Sequence, residues 1–525
     1  MIRPTTILTT MVRSGLIGLN LPHRTAAQLL SLATWGMSLI GEVRAGALAG
    51  PNDIAVHDET KGEITYAALF ARAMRTAAAL RAEGVVPGDR IGLLARNHVG
   101  AVEVMLGSSA VGADLVLGNT GLSAEQLALI AEQQGLGLLI HDDEFSELVS
   151  GLPETIRTIS ETEFEALVLA QTENASVGKP ETAGRTIILT SGTTGTPKGA
   201  ARKTPGGLGP IVSIVERIPL RVGDTTLISA PIFHTWGYAA LQLSFGMRAS
   251  VVLRRRFTPE SAVRALETYR CTTMFAVPVM LQRMVEQLPS DPGLRDRLKT
   301  LRIVATSGSN YPSGFTTRFM DEYGDVLYNL YGSTEASWVC IATPKDMRRA
   351  PNTAGTPPVG TVVKLLDSAG REVPAGETGR IFCGNDLIFD GYTSGGSKEF
   401  IDGLVATGDM GRVEDGLYFV VGRDDDMVIS GGENVYPVEV ESLLAEHPAV
   451  REVSVVGVPD ADFGQRLAAF IALEPGAELT ADEVREHVRE FRARHCIPRE
   501  VVFMDELPRN ATGKVVAREL RAQFE

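Results

Sequence analysis

The sequence predicts an α/β fold of at least two domains, and three observations carry this prediction. Apolar segments with the pattern of strands alternate with helix-like segments along most of the chain. The chain has 525 residues, 44% of them hydrophobic, which is more than one hydrophobic core normally supports. A stretch of about a hundred residues at the carboxyl end has strand and helix patterns of its own. We therefore expect a large amino-terminal domain of mixed α/β layers with a parallel sheet, followed by a small α+β domain.

Strands and helices are predicted in alternation along the large domain. The predicted strands are Ile54 to His57, Arg90 to Ala95, Leu138 to His141, Thr186 to Leu189, Thr226 to Ser229, Ser250 to Leu253, Thr272 to Phe275, Leu301 to Thr306 and Val326 to Leu330. The predicted helices include Tyr66 to Ala82 and His98 to Ala110. Because ligands bind beyond the carboxyl ends of parallel strands, the loops that follow these strands are candidates for ligand contacts.

The small domain has the same kinds of local signal. Strands are predicted at Val453 to Val458, Ala468 to Leu473 and Glu500 to Phe503. A helix is predicted to begin at Thr480, because Glu483 three residues later completes a capping box.

Composition excludes several classes of protein. The net charge is −14 and no basic stripe or cluster of Lys and Arg stands out along the chain, which argues against a nucleic-acid partner and favours small-molecule ligands. The four cysteines, Cys271, Cys340, Cys383 and Cys496, are far apart and have no CxxC spacing. Neither a zinc site nor a disulfide framework is indicated, and we expect a reducing, cytoplasmic location.

Residues 1–50 form a predicted helical extension. The apolar run from Ala26 to Gly41 is too short to span a membrane, and as one helix it would place Ser31, Thr34 and Ser38 on a single stripe. Four arginines against one glutamate give this segment a net charge of +3, so residues 1–45 could contact a membrane surface peripherally. Packing on the large domain is favoured, because the polar stripe lacks Lys and Arg.

The run from Leu189 to Gly199 has the composition of a phosphate-binding loop. Glycine lets backbone N–H groups close around an anion, hydroxyls add donors, and Lys198 adds a positive charge. A P-loop NTPase is excluded, because Lys198 follows Pro197 and precedes Gly199. The alternative is a flexible linker. The candidate phosphate ligands are Thr190, Ser191, Gly192, Thr193, Thr194, Gly195 and Lys198.

Four further motifs follow this loop in a fixed order. They are Tyr331-Gly332-Ser333-Thr334-Glu335, Thr407-Gly408-Asp409, the segment from Gly422 to Glu441, and Pro508 to Lys514. Together with the loop they resemble the adenylate-forming superfamily, which contains acyl-CoA synthetases, aryl-CoA ligases, luciferases and the adenylation domains of peptide synthetases. The resemblance extends from about residue 50 to the end of the chain and is strongest to fatty acyl-CoA synthetases.

The resemblance implies a domain layout. Residues 51–422 would form the large domain that binds ATP and the acyl substrate, 423–427 a hinge centred on Asp425, and 428–525 a small mobile domain. Asp425 lies in an acidic run that could equally be a solvated linker. The pair Gly431 and Gly432 would line the channel for the pantetheine arm of coenzyme A once the small domain rotates.

The resemblance also implies roles in binding ATP and Mg²⁺. Glu335 would bind Mg²⁺ with Thr190 close by, and Thr334 would contact the α-phosphate or the acyl carboxylate. Asp409 and Arg423 would contact the ribose, and Lys514 would neutralise charge on the α-phosphate during adenylation. The groups that would frame the adenine are Gly308, Ser309, Asn329 and Tyr331. Gly332 and Ser333, in the same motif as Tyr331, are also candidate nucleotide-binding residues.

The acyl substrate is expected beside the segment from Phe233 to Gly237. His234 would position the carboxylate, and Trp236 would line or gate the acyl tunnel. The two residues would form an apolar pocket together with Phe275 to Pro278, which includes Val277, and with Met280. This pocket would have no fixed charge, which suits an aliphatic chain.

These roles imply an ATP-dependent acyl-CoA synthetase that acts on a medium- to long-chain fatty acid. The acid would be activated as acyl-AMP and transferred to CoA, with release of AMP and pyrophosphate. One alternative is a fatty acyl-AMP ligase that loads a carrier protein, although residues 335–379 look too compact for the extra segment of such enzymes. Others are an aryl-CoA or short-chain ligase, and a nucleotide sensor without catalysis. The sequence does not decide the oligomeric state, and a homodimer is one alternative.

Overall fold

A computed structural model of the chain describes residues 2–17, 22–190, 198–202, 207–288, 291, 293–312, 314–393, 395–424, 426–430, 433–460, 464–510 and 514–524. The strands in chain order are β1 (Ile54–Asp58), β2 (Gly62–Thr65), β3 (Arg90–Leu94), β4 (Asp114–Leu117), β5 (Leu138–His141), β6 (Arg157–Ser160), β7 (Thr186–Thr190), β8 (Lys198–Arg202), β9 (Thr225–Ile228), β10 (Ser250–Leu253), β11 (Thr273–Ala276), β12 (Ile303–Ser307), β13 (Leu327–Tyr331), β14 (Cys340–Ala342), β15 (Val362–Leu366), β16 (Gly379–Gly384), β17 (Phe400–Ile401), β18 (Leu404–Glu414), β19 (Leu417–Arg423), β20 (Val428–Ser430), β21 (Glu433–Val435), β22 (Val450–Asp460), β23 (Gly464–Leu473) and β24 (Glu500–Phe503).

The α-helices are α1 (Pro4–Arg13), α2 (Pro22–Trp35), α3 (Leu39–Ala49), α4 (Tyr66–Ala82), α5 (Val99–Val111), α6 (Ala124–Gln134), α7 (Ser146–Val149), α8 (Glu161–Ala170), α9 (Gly209–Arg217), α10 (Thr235–Gly246), α11 (Pro259–Thr268), α12 (Pro278–Gln287), α13 (Leu294–Arg297), α14 (Phe315–Tyr323), α15 (Pro344–Arg349), α16 (Pro437–Leu444), α17 (Ala481–Phe491) and α18 (Ala517–Arg521). Short 3₁₀ helices lie at Asp143–Phe145 and Arg494–Cys496.

Two mixed sheets form the centre of the large amino-terminal region. One has the strand order β14-β13-β12-β11-β9-β10-β1-β2, and β13 to β1 run parallel in it. The other has the order β6-β5-β3-β4-β7-β8, parallel from β6 to β7. Helices cover their faces, as the predicted alternation requires, so the α/β prediction is confirmed.

Two smaller sheets complete the molecule. An antiparallel sheet has the order β15-β16-β18-β17, with β19 paired to β18. The carboxy-terminal region forms a sheet of β21-β20-β23-β22, with β24 parallel to β23. Its helix α17 is capped by Thr480, whose hydroxyl accepts from the Glu483 amide at 3.3 Å, and this is the predicted capping box.

The predicted single helix over residues 26–41 is wrong. Gly36 has a φ of 70°, which ends α2, and Ser38 caps α3 by accepting a hydrogen bond from the Gly41 amide at 3.2 Å. Ser31 is therefore not part of a solvent-facing stripe: it is buried and accepts a hydrogen bond from Arg44 Nη1 at 3.0 Å. Helix α3 packs against α4, α5 and α10, as the packing alternative predicts.

The four cysteines are free and buried. Among the described helices, none is long and apolar enough to cross a membrane.

Candidate active site

The carboxyl ends of three adjacent parallel strands open into one cavity of about 370 Å³. Val277 follows β11, Gly308 follows β12, and the loop from Gly332 to Thr334 follows β13, and all of them line the cavity. This is the edge of a parallel sheet at which ligands bind. The structure therefore brings together residues that the sequence places in separate motifs.

The first turn of α10 forms the wall opposite this loop. Thr235 Oγ1 lies 3.0 Å from Thr334 Oγ1, so a hydrogen bond joins the helix to the loop after β13. Trp236 Nε1 donates to the Ala276 carbonyl at 3.0 Å, which fixes the indole along the cavity wall. The backbone of Gly237 passes so close to Pro231 that a Cβ at this position would lie 2.1 Å from the Pro231 carbonyl oxygen.

His234 precedes α10 and lines the cavity as a neutral side chain. Burial, and to a smaller extent the nearby charge of Lys514, lower the pKa of His234 to about 4. A histidine that is neutral at physiological pH can donate or accept a hydrogen bond but supplies no positive charge. This fits a positioning role and leaves the cationic role to another residue.

Lys514 is the residue predicted to supply a positive charge, and it lines two cavities. It lines the cavity of His234 and Thr334, and also a second cleft of about 320 Å³ whose wall includes Ser309, Asn329 and Tyr331. Lys514 is an exposed residue, because it faces these two openings. The surrounding protein lowers the pKa of Lys514, while Asp409 raises it. Lys514 is also the only lysine after Lys398.

Asp409 and Arg423 lie opposite each other on β18 and β19. Arg423 Nη1 is 3.7 Å from Asp409 Oδ1, and the Tyr331 hydroxyl donates to Asp409 Oδ2 at 2.6 Å. Burial raises the pKa of Asp409. The two predicted ribose contacts therefore form an ion pair beside Lys514, and Tyr331 adds a hydrogen bond to it.

Glu335 lies at the phosphate-loop end of the site, and Tyr392 joins it there. The Tyr392 hydroxyl donates to Glu335 Oε1 at 2.7 Å, and Lys198 Nζ lies 5.3 Å from the centre of the Tyr392 ring. Thr190 and Lys198 are paired residues on β7 and β8, one at each end of the loop. The sequence analysis did not identify Tyr392. The only local feature that could have drawn attention to it is Gly391, the residue before it.

The donor set around Glu335 fits a hard divalent cation. Mg²⁺ is usually held by one or two carboxylates and by substrate phosphates, and Glu335 is a carboxylate beside the predicted phosphate loop. Another acidic group, formed by His98, Asp142 and Glu161, lies elsewhere. Arg255 forms ion pairs with both Asp142 and Glu161, and its Nη1 lies 3.2 Å from Asp142 Oδ2. This group is therefore a structural ion-pair network.

Other predicted residues fall in three groups. Gly308, Gly332, Ser333, Val277 and Trp236 line the first cavity, and Ser309 and Asn329 line the cleft. Phe233 packs in the core and Met280 is half-buried, and neither lines the cavity. The remaining predicted residues lie outside the described residues: Ser191, Gly192, Thr193, Thr194, Gly195, Asp425, Gly431 and Gly432.

The expectation of a pocket without a charged group does not hold. The lining includes Glu42 and Arg185, together with Met37 to Leu39 from the amino-terminal extension. Arg185 pairs with Asp114, but Glu42 belongs to a segment that sequence reasoning did not connect with the pocket. The reason is tertiary: α3 reaches the cavity by packing against α10.

Gly332 is required by a close approach of the backbone. A Cβ at this position would lie 2.0 Å from the carbonyl oxygen of Ser337, so we expect Gly332→Ala to displace the loop that holds Thr334. Adenylation should fall by at least about tenfold and stability by about 1–3 kcal/mol. Steady-state kinetics and thermal unfolding measure both effects. Gly151→Ala is the matched control, because a Cβ there meets nothing within 4 Å, and equal behaviour of the two variants would contradict the packing argument.

Comparison with known proteins gives consistent matches over nearly the whole chain. Residues 43–393 match the sequence model of the AMP-binding enzyme family, and residues 439–514 match that of the AMP-binding enzyme C-terminal domain. The chain is 32% identical over 469 residues to a feruloyl-CoA synthase of Amycolatopsis sp., covering 88% of this chain and 94% of that protein. It is 31% identical to the fatty acid–[acyl-carrier-protein] ligase ScoC of Streptomyces coeruleorubidus, covering 88% and 92%.

A solved structure of similar fold contains a reaction intermediate. It is the o-succinylbenzoate CoA synthetase MenE of Bacillus subtilis in complex with its acyl-adenylate intermediate. The TM-score is 0.81 at 28% sequence identity, and the match covers 91% of this chain and 97% of that one.

Proposed function

Because the chain belongs to the AMP-binding enzyme family, we propose that it is an AMP-forming acid–thiol ligase that converts a carboxylic acid into its CoA thioester. The single observation that carries this proposal is the position of Lys514, which lines both the cavity of His234 and the cleft of Tyr331. In this position one ammonium group can contact an acid held on one side and a nucleotide phosphate held on the other.

The reaction proceeds in two steps. In the first, a carboxylate oxygen of the acid attacks the α-phosphorus of ATP, the bond to pyrophosphate breaks, and acyl-AMP forms. In the second, the thiol of CoA attacks the acyl carbonyl carbon, the thiol proton is lost, and AMP leaves. Negative charge develops on phosphate oxygens in the first step, so a fixed cation beside them lowers its barrier.

The proposed roles of the other residues follow from their surroundings. Thr334, held by Thr235, is proposed to orient the carboxylate or the α-phosphate, and neutral His234 to donate a hydrogen bond to the carboxylate. Asp409 is proposed to accept hydrogen bonds from the ribose, with Arg423 and Tyr331 holding its carboxylate in place. Ser309 and Asn329, in the wall of the cleft, are proposed to frame the adenine.

The phosphate loop and Glu335 are proposed to hold the pyrophosphate end of ATP. Glu335 would bind Mg²⁺, which when bound neutralises phosphate charge. Tyr392 keeps the carboxylate of Glu335 oriented by donating to Oε1, and Lys198 lies over the Tyr392 ring. Gly431 and Gly432 are proposed to line the path of the pantetheine arm in a second arrangement of the domains.

We propose a medium- to long-chain aliphatic acid as the substrate, supported by the length of the cavity. Its lining includes Thr235 to Ala239, Gln242 and Leu243, which lie along the first turns of α10. The stretch from Thr235 to Leu243 spans about 12 Å at roughly 1.5 Å per residue. An extended chain advances roughly 3.5 Å in three bonds, so this length corresponds to about ten bonds. An aryl acid is the second candidate, favoured by the identity to a feruloyl-CoA synthase.

A panel assay tests the proposal. Saturated acids of increasing length and aryl acids are incubated with ATP and Mg²⁺, with and without CoA, and AMP, pyrophosphate, acyl-AMP and acyl-CoA are measured. We expect acyl-AMP from at least one acid without CoA, and AMP with acyl-CoA when CoA is added. Transfer to a carrier protein in place of CoA would favour the acyl-carrier-protein alternative, and absence of acyl-AMP from every acid would contradict the proposal.

Glu335→Gln tests the metal role. The amide keeps the size of the side chain but removes the anion that a hard cation prefers. We expect the Mg²⁺ concentration for half-maximal adenylation to rise by about tenfold or more and the maximal rate to fall. A Mg²⁺ titration of pyrophosphate release measures both, with the exposed Glu377→Gln as the control. Wild-type metal dependence in Glu335→Gln would rule out this ligand.

A further inference from the structure

Glu42 is a buried carboxyl group in the wall of the cavity. It lies in α3, its exposed fraction is 3%, and it lines the same cavity as Thr334 and Lys514. Within the described part of the chain, Glu42 Oε2 has no hydrogen-bond partner. A buried polar atom without a partner is destabilising, so a group that completes its hydrogen bonding would be favoured there.

The carboxyl lies at the end of α10 that is remote from the reacting groups. Thr235 at the first turn contacts Thr334, whereas a Cβ on Gly246 at the last turn would lie 3.5 Å from Glu42 Oε1. The two ends are separated by about 16 Å along the helix axis. The Glu42 carboxyl therefore lies against the last turn of α10.

A second polar group is found at this end. Gln28 is buried, its Nε2 donates to the Gly246 carbonyl at 3.5 Å, and no partner for its Oε1 is found among the described residues. The lining on either side is otherwise largely apolar, with Met37, Leu39, Ile211 and Leu243. The far end of the cavity therefore combines apolar walls with the Glu42 carboxyl, one oxygen of which has no partner among the described residues, while Gln28 lies near Gly246 outside the cavity lining.

We propose that Glu42 is a specificity-determining residue that binds a hydroxyl group at the distal end of the acid substrate. The inference rests on the proposed function and narrows its substrate to a hydroxylated carboxylic acid. The carboxylate of this acid lies at Thr334 and Lys514, its apolar body follows α10, and its hydroxyl completes the hydrogen bonds of Glu42.

The protonation state of Glu42 agrees with an uncharged ligand group such as a hydroxyl. Burial raises its pKa well above the ordinary value, which favours the protonated form. A neutral carboxyl both donates and accepts a hydrogen bond, as a hydroxyl does. The sequence model of the family begins at residue 43, so Glu42 lies outside the part of the chain that this model covers.

The experiment compares paired acids in one enzyme. Straight-chain acids of increasing length and aryl-alkanoic acids are each tested with and without a terminal hydroxyl, and kcat/KM for pyrophosphate release is measured. We expect the wild-type protein to prefer the hydroxylated member of at least one pair by about tenfold or more, because a site that binds a hydroxyl rejects the analogue that lacks it. Glu42→Leu should reduce this ratio to about 1, and Glu42→Gln, which still forms hydrogen bonds, should keep a preference.

Leu243→Ala is the matched control, because Leu243 lines the same cavity without a polar group. It should change both members of a pair alike and leave their ratio unchanged. An equal ratio in wild type and Glu42→Leu, or a preference for the acid without the hydroxyl or for an ω-amino analogue, would overturn the inference. Adenylation of no acid at all would instead contradict the proposed function, and the inference with it.

Discussion

Lys514→Ala is expected to slow formation of acyl-AMP by roughly 10²–10³-fold, as is typical when one group that stabilises developing charge is removed. Lys514 lies between the two cavities, and neutral His234 cannot replace its charge. No other lysine follows Lys398 in the sequence. Single-turnover measurement of pyrophosphate release gives the size of the effect.

The second step should be affected far less, because the proposed rotation of the small domain would move Lys514 away from the α-phosphate before the thiol of CoA attacks the acyl carbonyl carbon. Thioester formation from supplied acyl-AMP is therefore expected to survive in Lys514→Ala. Lys364→Ala is the control, since Lys364 is a partly exposed lysine that pairs with Glu372 at 3.8 Å. Equal losses in both steps would show that Lys514 acts on folding or domain contact and not on adenylation.

The elements that the sequence predicts best are those with local causes. The helix from Tyr66 to Ala82 has the predicted bounds, because Thr65 caps it and accepts a hydrogen bond from the Ala68 amide at 3.2 Å. The strand from Leu138 to His141 is also as predicted, since four buried residues in a parallel sheet give an uninterrupted apolar run. The break at Gly36 was missed because apolar residues continue on both sides of it.

The candidate site was predictable where its residues belong to motifs, and not where distant segments meet. Asp409 and Arg423 come together because the hairpin of β18 and β19 pairs them. Tyr392 and Glu42 carry no motif: each reaches the site through tertiary packing, one beside Glu335 and the other through α3 against α10. The expectation of a pocket without a fixed charge missed Arg185 and the buried carboxyl of Glu42, since it considered only the segments near Trp236 and Phe275.

Asp425→Pro is expected to separate the two steps of the reaction. Asp425 lies outside the described residues, but its neighbours are held by different domains. The Asp424 amide donates to the Gly408 carbonyl at 2.9 Å and Arg380 Nε lies 3.1 Å from Asp424 Oδ2, both in the large domain. Asp426 Oδ1 accepts from Arg521 Nη2 of α18 at 2.9 Å, in the small domain. The hinge at residue 425 stays a prediction, and these contacts of the residues on either side of it support that prediction.

Proline fixes φ near roughly −65° and restricts the residue before it, so a hinge that needs two backbone states would be confined to one. Lys514 lines the cavity in the structure, which is the arrangement that its proposed role in adenylation requires. We expect Asp425→Pro to form acyl-AMP within about tenfold of the wild-type rate and to lose at least about 10²-fold in transfer to CoA. Asp425→Ala is the matched control, because it removes the same carboxylate and leaves the backbone free. Single-turnover assays of each step measure the split. If Asp425→Pro makes acyl-CoA at the rate of Asp425→Ala, the small domain need not rotate about this residue, and the acidic run is only a solvated linker.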